Sequence, residues 1–145
     1  MRSIEAEIEI RGTPEQVWAV LTGFSDYPNW NPFIRQAAGI PSEGARLSVR
    51  IQPPDGAAMS FRPTVKVAAP GRELLWLGHF LVPGLFDGEH QFKIEALNPV
   101  NVRFTQTEIF RGLLVHLVPK SIYEKTEAGF AAMNRALKER VETHR

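Results

Sequence analysis

Apolar and polar positions alternate strictly over residues 4–10, IEAEIEI. Ile4, Ala6, Ile8 and Ile10 fall on one face and Glu5, Glu7 and Glu9 on the other. A period of two predicts a strand with one wet face. The next residues predict a short helix from Pro14 to Thr22. Thr13 is its N-cap, Pro14 stands at the first helical position, and Gln16 completes a capping box. Val17, Val20 and Leu21 give that helix its apolar stripe, with Trp18 at the edge. Residues 25–33, SDYPNWNPF, carry two Pro and two Asn, which predicts one helical turn and then a loop.

Alternation then returns up to about residue 115. Leu47, Val49 and Ile51 share a face, and Pro53-Pro54-Asp55-Gly56 makes a turn. Phe61, Val65 and Val67 share the next face, and Pro63 inside that run marks an edge strand or a bulge. Leu74, Trp76, Gly78 and Phe80 follow, then a loop at 83–88. Phe92, Ile94 and Ala96 precede a turn at Asn98-Pro99-Val100. Val102, Phe104 and Phe110 share their face with Gln106 and Glu108. Ile122, Thr126, Phe130, Met133, Leu137 and Val141 then recur at spacings of three and four, predicting an amphipathic helix over roughly 120–143. Its start is set either by Pro119 or by a Ser121/Glu124 capping box.

Strands joined by short turns imply antiparallel pairing, and strands with one apolar face need one cover. The element long enough to supply it is the last helix, ~24 residues or ~36 Å. The expected architecture is therefore a single α+β domain over residues 1–145. One curved antiparallel sheet of about six or seven strands wraps a long C-terminal α-helix, with two short helices after the first strand. A curved sheet is wider than a helix of ~10 Å. The surplus is taken up by a plain aromatic core or by a cavity of roughly 300–1,000 Å³, the usual range for ligand sites. Trp76, Phe80, Phe92, Phe104, Phe110, Phe130 and Met133 are the expected lining in either case.

Composition narrows the function classes. The 145 residues carry a formal net charge of +1, with basic residues interleaved among acids, so a nucleic-acid partner is not expected. There is no cysteine, which excludes disulfide scaffolds and thiolate chemistry. The N-terminus has neither the basic start nor the apolar run of a signal peptide, and no apolar stretch approaches the ~20 residues that span a bilayer. A cytoplasmic protein is the expectation. No phosphate-cradling Gly loop, zinc helix or nucleophile elbow occurs, and His79, His90, His116 and His144 are scattered. Neither a metal nor a cofactor is expected.

Several segments carry a resemblance. Residues 13–18 (TPEQVW), 27–33 (YPNWNPF), 76–78 (WLG), 87–92 (DGEHQF), 104–108 (FTQTE) and 125–137 resemble the START-like (SRPBCC) superfamily, which includes the polyketide cyclase/dehydrase proteins. The likeness covers nearly the whole chain. It implies the helix-grip fold, in which a long C-terminal helix closes a curved antiparallel sheet over a hydrophobic cavity. It also implies a hydrophobic small-molecule ligand such as a lipid, sterol, quinone, plant hormone or polyketide. It implies no single reaction and no particular protein partner.

Parity sharpens the site. With Asn98, Pro99 and Val100 as a hairpin loop, Leu97 stands opposite Asn101 and Ala96 opposite Val102. Ile94 then faces Phe104, Phe92 faces Gln106 and His90 faces Glu108. A buried carboxylate needs a partner, and His90 is in reach of Glu108. These two and Gln106 are polar handles for a ligand or an acid/base pair; the alternative is that Glu108 is simply wet. The candidate ligand site is Trp30, Phe61, Trp76, Phe80, His90, Phe92, Phe104, Gln106, Glu108, Phe110, Phe130 and Met133, with His90 and Glu108 the catalytic candidates. Trp30, Asn31 and Phe33 fall near one end of the sheet. Leu81, Leu85 and Phe86 form a rim or lid on the Pro/Gly loop, or else cap the core. Three functions fit: a binder or carrier of a hydrophobic molecule, a cyclase or dehydratase acting on a polyketide-like carbonyl substrate through His90/Glu108, or an interaction module using the open rim.

Overall fold

The computed structural model describes residues 1–80 and 82–144. Strand β1 (Arg2–Arg11) leads through Thr13 into α1 (Pro14–Thr22). Both halves of the capping box form: Gln16 N donates to Thr13 Oγ1 at 3.2 Å, and Thr13 N donates to Gln16 Oε1 at 2.9 Å. A 3₁₀ turn (Phe24–Asp26) runs into the single-turn helix α2 (Tyr27–Trp30). Then come β2 (Ile34–Ala38), β3 (Ser48–Ile51), β4 (Met59–Phe61), β5 (Thr64–Ala69), β6 (Glu73–Phe80), β7 (Phe86–Asn98) and β8 (Asn101–Arg111). Helix α3 (Lys120–Thr143) closes the fold. Among the described residues no helix is long and apolar enough to cross a membrane.

The expected single sheet is instead two hydrogen-bonded sheets, of five strands in the order β1-β8-β7-β6-β5 and three in the order β2-β3-β4. All pairings are antiparallel. Pro63 is the physical reason for the division. It separates β4 from β5 and has no N–H to donate. Both consequences expected of it occur, since β5 is an edge strand and its register shifts between Val65 and Val67. The sheets stay joined through residues 44–47: Leu47 N donates to Pro63 O and Val65 N to Ala45 O, each at 2.8 Å.

The β7–β8 hairpin has the expected register from Ala96 inward, but its tip differs. Asn98 pairs with Asn101, so the loop is Pro99-Val100 and the register shifts between Ala96 and Asn98. Leu97 is the extra residue. It is exposed, as is Ala96, because the tip projects past the core. The ladder between Gly88 and Phe92 is regular.

Helix α3 buries Tyr123, Gly129, Phe130, Met133, Asn134, Leu137 and Val141. The stripe is rotated at its start, where Tyr123 is buried and Ile122 is 45% exposed. No side chain caps this helix; Pro119 stands at its N-cap. Gly129 serves close packing: a Cβ there would lie 2.3 Å from the Phe33 ring. A mid-helix Gly costs ~0.5–1 kcal/mol. The edge-to-face contact of Phe33 with Phe130, 5.6 Å between centroids, offsets that cost.

Candidate functional site

Inward positions of β7 and β8 run the length of the sheet, and they change character along it. Phe92, Ile94, Val102 and Phe104 are buried and packed shut in the core with Phe130, Met133, Leu137 and Val141 of α3. Toward the other end the inward residues are His90, Gly88, Glu108 and Phe110. Gly88 pairs with Gly78 of β6, so two neighbouring strands have no side chain at the same level. A Cβ at Gly88 would sit 2.3 Å from Glu108 Oε2, and one at Gly78 would sit 3.3 Å from the Phe61 ring. The glycine pair thus makes the room that the Glu108 carboxyl and the Phe61 ring occupy.

A cavity lies over this floor, between the two sheets and the first turns of α3. Phe61, Trp76, Phe80, His90, Glu108 and Phe110 line it, together with Phe33, Ile34, Ile51, Met59, Phe86, Ile122, Tyr123 and Thr126. Of the other expected site residues, Phe92, Phe104, Gln106, Phe130 and Met133 are fully buried behind the cavity wall rather than at its surface. Trp30 packs edge-on against Tyr27 and faces a hollow beside Ala136 and Arg140, on another side of the molecule. Leu85 and Phe86 lie on the 82–86 segment at the mouth, and Leu81 lies outside the described residues. The cavity volume is about 50 Å³. That holds a few waters and falls far short of the expected ~300–1,000 Å³. Large aromatic side chains take up the difference. Phe61, Phe80, Phe86, Phe110 and Tyr123 contact one another in sequence, with centroids 5.1–5.5 Å apart, and form a continuous arc along its wall.

Sequence parity does not single out Tyr123 or Asn134. Tyr123 Oη donates to Val115 O at 2.7 Å and anchors the 112–118 segment over the mouth. That segment in turn pairs with the 82–86 loop, since Leu113 N donates to Gly84 O at 3.1 Å and Leu114 N to Leu85 O at 2.9 Å. Asn31, which sequence position places at this end with Phe33, is fully buried. Its Oδ1 accepts from Phe33 N at 2.9 Å and Ile34 N at 2.8 Å, which turns the chain from α2 into β2.

A buried polar chain ends at the cavity. The Phe130 carbonyl can only accept, and it lies 3.4 Å from Gln106 Nε2. The same Nε2 donates to Asn134 Oδ1 at 2.7 Å. Gln106 therefore turns its Oε1 toward His90 Nε2, 2.9 Å away. An oxygen acceptor there makes His90 Nε2 the protonated nitrogen and leaves a lone pair on Nδ1. Nδ1 faces Glu108 Oε1 at 3.7 Å.

Burial sets the charge state. His90 is packed against Phe92, Phe130 and Trp76, with centroids 4.1, 4.6 and 5.5 Å away. Desolvation pushes its imidazole down to about 3, the hydrogen bond with Gln106 acting the other way. Desolvation pushes the Glu108 carboxyl up to about 8. At neutral pH the two meet as a carboxylic acid and a neutral imidazole. Trp76 also lines the cavity, and its indole Nε1 is buried without a hydrogen-bond partner. The site thus holds one donor, Glu108 O–H, and one acceptor, His90 Nδ1, in an otherwise apolar enclosure, with the unpartnered Trp76 N–H on a residue that lines it.

Comparison with known proteins places this architecture. No curated protein matches the chain. Among solved structures, a START superfamily protein from Mycobacterium smegmatis superposes with a TM-score of 0.76 at 19% identity, covering 97% of both chains. The protein TTHA0849 from Thermus thermophilus gives 0.76 at 14%, covering 98% of both. The di-domain ARO/CYC BexL from the BE-7585A biosynthetic pathway gives 0.75 at 14%, where the whole of this chain matches 48% of that one. These likenesses establish the helix-grip fold. The family described as polyketide cyclase/dehydrase and lipid transport matches residues 1–142, so the chain belongs to that family.

Proposed function

We propose that the protein binds a small hydrophobic molecule bearing an acceptor oxygen, such as a carbonyl, in the cavity at the open end of its sheet. One observation carries this: Glu108, with its acid O–H, and Trp76, whose indole N–H has no protein partner, both line an otherwise apolar cavity. A buried donor without a partner is destabilising by about 1–3 kcal/mol, which a ligand oxygen recovers on binding. The family description, which joins cyclases to lipid transport, agrees with an apolar ligand. Seating one requires the aromatic arc along the cavity wall to part, as a cavity of about 50 Å³ is too small for it.

A second reading has one observation in its favour: an acid and an imidazole lone pair stand 3.7 Å apart at one cavity. In a dehydration, His90 Nδ1 takes the proton beside a carbonyl while Glu108 protonates the departing hydroxyl. The C–O bond breaks and water leaves.

Nile Red, an apolar dye with a carbonyl, tests the binding reading. Saturable binding is expected. Gly88→Ala, whose Cβ displaces the Glu108 carboxyl, and Glu108→Ala should each weaken it about tenfold, the loss of one good hydrogen bond. Glu95→Gln, on the outer face, should leave it as it was. Non-saturable binding, or equal affinities in all four proteins, refutes the assignment. Turnover of a β-hydroxy carbonyl compound that disappears in Glu108→Gln while Nile Red still binds would establish the second reading.

A further inference from the structure

Three residues of the cavity wall, Met59, Phe61 and Phe80, also line a second hollow on the outside of the molecule. This groove has a volume of about 570 Å³ and lies where the two sheets part. Pro63 has ended the pairing there, and β4 meets β6 through side chains instead of a ladder. The Phe61 and Phe80 rings lie 5.2 Å apart at 50°, and Phe61 rests on the bare backbone of Gly78. With Met59, these two rings separate the cavity from the groove. Tilted aromatic rings over a glycine swing aside far more cheaply than a hydrogen-bonded strand pair opens.

The groove also carries two cations beside the neutral Ser60, Thr64 and Leu77. Arg46 and Arg62 are both exposed, and neither joins an ion pair among the described residues. Arg46 Nε donates to the Arg62 carbonyl at 3.3 Å, which keeps the two residues adjacent. His79 also lines the groove, but its Nδ1 lies 2.8 Å from Asp87 Oδ1, so any charge it gains is offset. No acidic side chain lines the groove among the described residues. Two unopposed guanidinium groups beside an apolar gate suit one kind of molecule, an apolar chain ending in an anion.

We propose that Phe61 and Phe80 are a side gate to the cavity, and that Arg46 and Arg62 hold the anionic end, a carboxylate or a phosphate, of an amphiphile whose apolar chain passes between the rings. This rests on the binding function proposed above and names the ligand class and its route.

Displacement of Nile Red by dodecanol, dodecanoate and dodecyl phosphate tests it, since the three share a chain and differ in end group. At least one anion should displace the dye about tenfold more tightly than dodecanol, and the better of the two names the anion. In Arg46→Gln/Arg62→Gln that preference should fall to within about twofold, and ~0.5 M salt should erode it in the wild type. Phe61→Ala should speed Nile Red uptake several-fold in stopped flow. Equal displacement by all three compounds overturns the anion site. Uptake accelerated by Ile122→Ala but not by Phe61→Ala overturns the gate. Failure of Nile Red to bind the wild type at all is a different result, because it removes the cavity function itself.

Discussion

The two ends of the β7–β8 hairpin share their strands, their parity and their covering helix, yet one is solid and the other hollow. At the closed end the inward positions are Phe92, Ile94, Phe104 and Val102, packed beneath Phe130, Met133, Leu137 and Val141. At the open end the same parity delivers His90, Gly88 and Glu108, with Gly78 alongside. Backbone geometry does not differ between these positions, since the ladder is regular from Asp87 to Ala96. The two paired glycines give their space to the Glu108 carboxyl and the Phe61 ring, so the hollow lies over a low floor that carries a carboxyl where a large apolar residue would otherwise fill the space. What distinguishes the hollow end from the solid end here is side-chain volume, not strand spacing.

The largest effects should come from breaking the closed end. Phe92 is fully buried beside Trp76 and His90, and Phe92→Ala should destabilise by about 3–5 kcal/mol, as for other buried Phe truncations. Phe61, half-buried in the cavity wall, should lose only ~1–2 kcal/mol on the same change, because much of its surface faces space already. Urea denaturation measures both. Equal losses would mean that the open end is packed as a core, and the contrast between the ends would collapse.

The acid–imidazole pair gives the next largest effect and a sign that depends on pH. Glu108 is raised from 4.5 to about 8 on folding, so its contribution is fully present below pH 4.5 and is lost as pH rises through about 8. His90 is lowered from 6.5 to about 3, so its contribution is present above pH 6.5 and is lost as pH falls toward 3. Between 4.5 and 6.5 the two slopes cancel, and the pair contributes a plateau with a fall on either side. Glu108→Gln should remove the alkaline fall, leaving the variant more stable than the wild type at about pH 8 by on the order of 2–3 kcal/mol. His90→Phe should remove the acid fall instead. Chemical denaturation from about pH 4 to about pH 9 reads both. A wild type and Glu108→Gln that track each other across the range would show the carboxyl to be wet.

Much of this is legible in the chain itself. Alternation in 4–10, 92–96 and 102–104, carried on by parity to His90 and Phe110, sets which residues point inward, and the hydrophobic pattern leaves one register for the hairpin, so His90 meets Glu108 as parity requires. Parity says which side a residue faces but not how far along the sheet the helix closes over it. For that reason Phe92, Phe104, Phe130 and Met133, expected in the cavity, instead fill the closed end. The signal that marks the hollow is glycine at inward positions, Gly78 and Gly88, where a strand would ordinarily spend a large side chain. Strand β2 escapes a sequence reading because Ile34-Arg35-Gln36-Ala37-Ala38 does not alternate: a register shift between Ile34 and Gln36 leaves Ile34 and Ala37, three apart, as its buried residues. The division into two sheets follows from Pro63, whose missing N–H makes a boundary as well as an edge. Asn134 escapes because it lies beside Met133 within an amphipathic stripe, where a lone Asn carries no mark of burial.

Asn134 also gives the smallest and most discriminating test, since it stands on the boundary between the two ends. It is buried on α3 and holds the Gln106 amide through a 2.7 Å bond, and Gln106 in turn fixes His90 with Nε2 protonated. Asn134→Leu keeps the volume and removes the acceptor. Gln106 then keeps only the 3.4 Å contact to Phe130 O, and its amide is free to turn over. Once turned, it presents N–H to His90 Nε2, which must become the acceptor, and the ring proton moves to Nδ1. The lone pair facing Glu108 is lost, and with it the acceptor at the open end. The stability loss should be about 1–2 kcal/mol, the value of one buried hydrogen bond. The decisive reading is ¹⁵N NMR of the imidazole. The wild type should show a protonated Nε2 and a bare Nδ1, and Asn134→Leu should shift toward the other tautomer. A His90 that keeps its proton on Nε2 in the variant would mean that the Phe130 carbonyl holds Gln106 without Asn134, and that Asn134 does not set the tautomer.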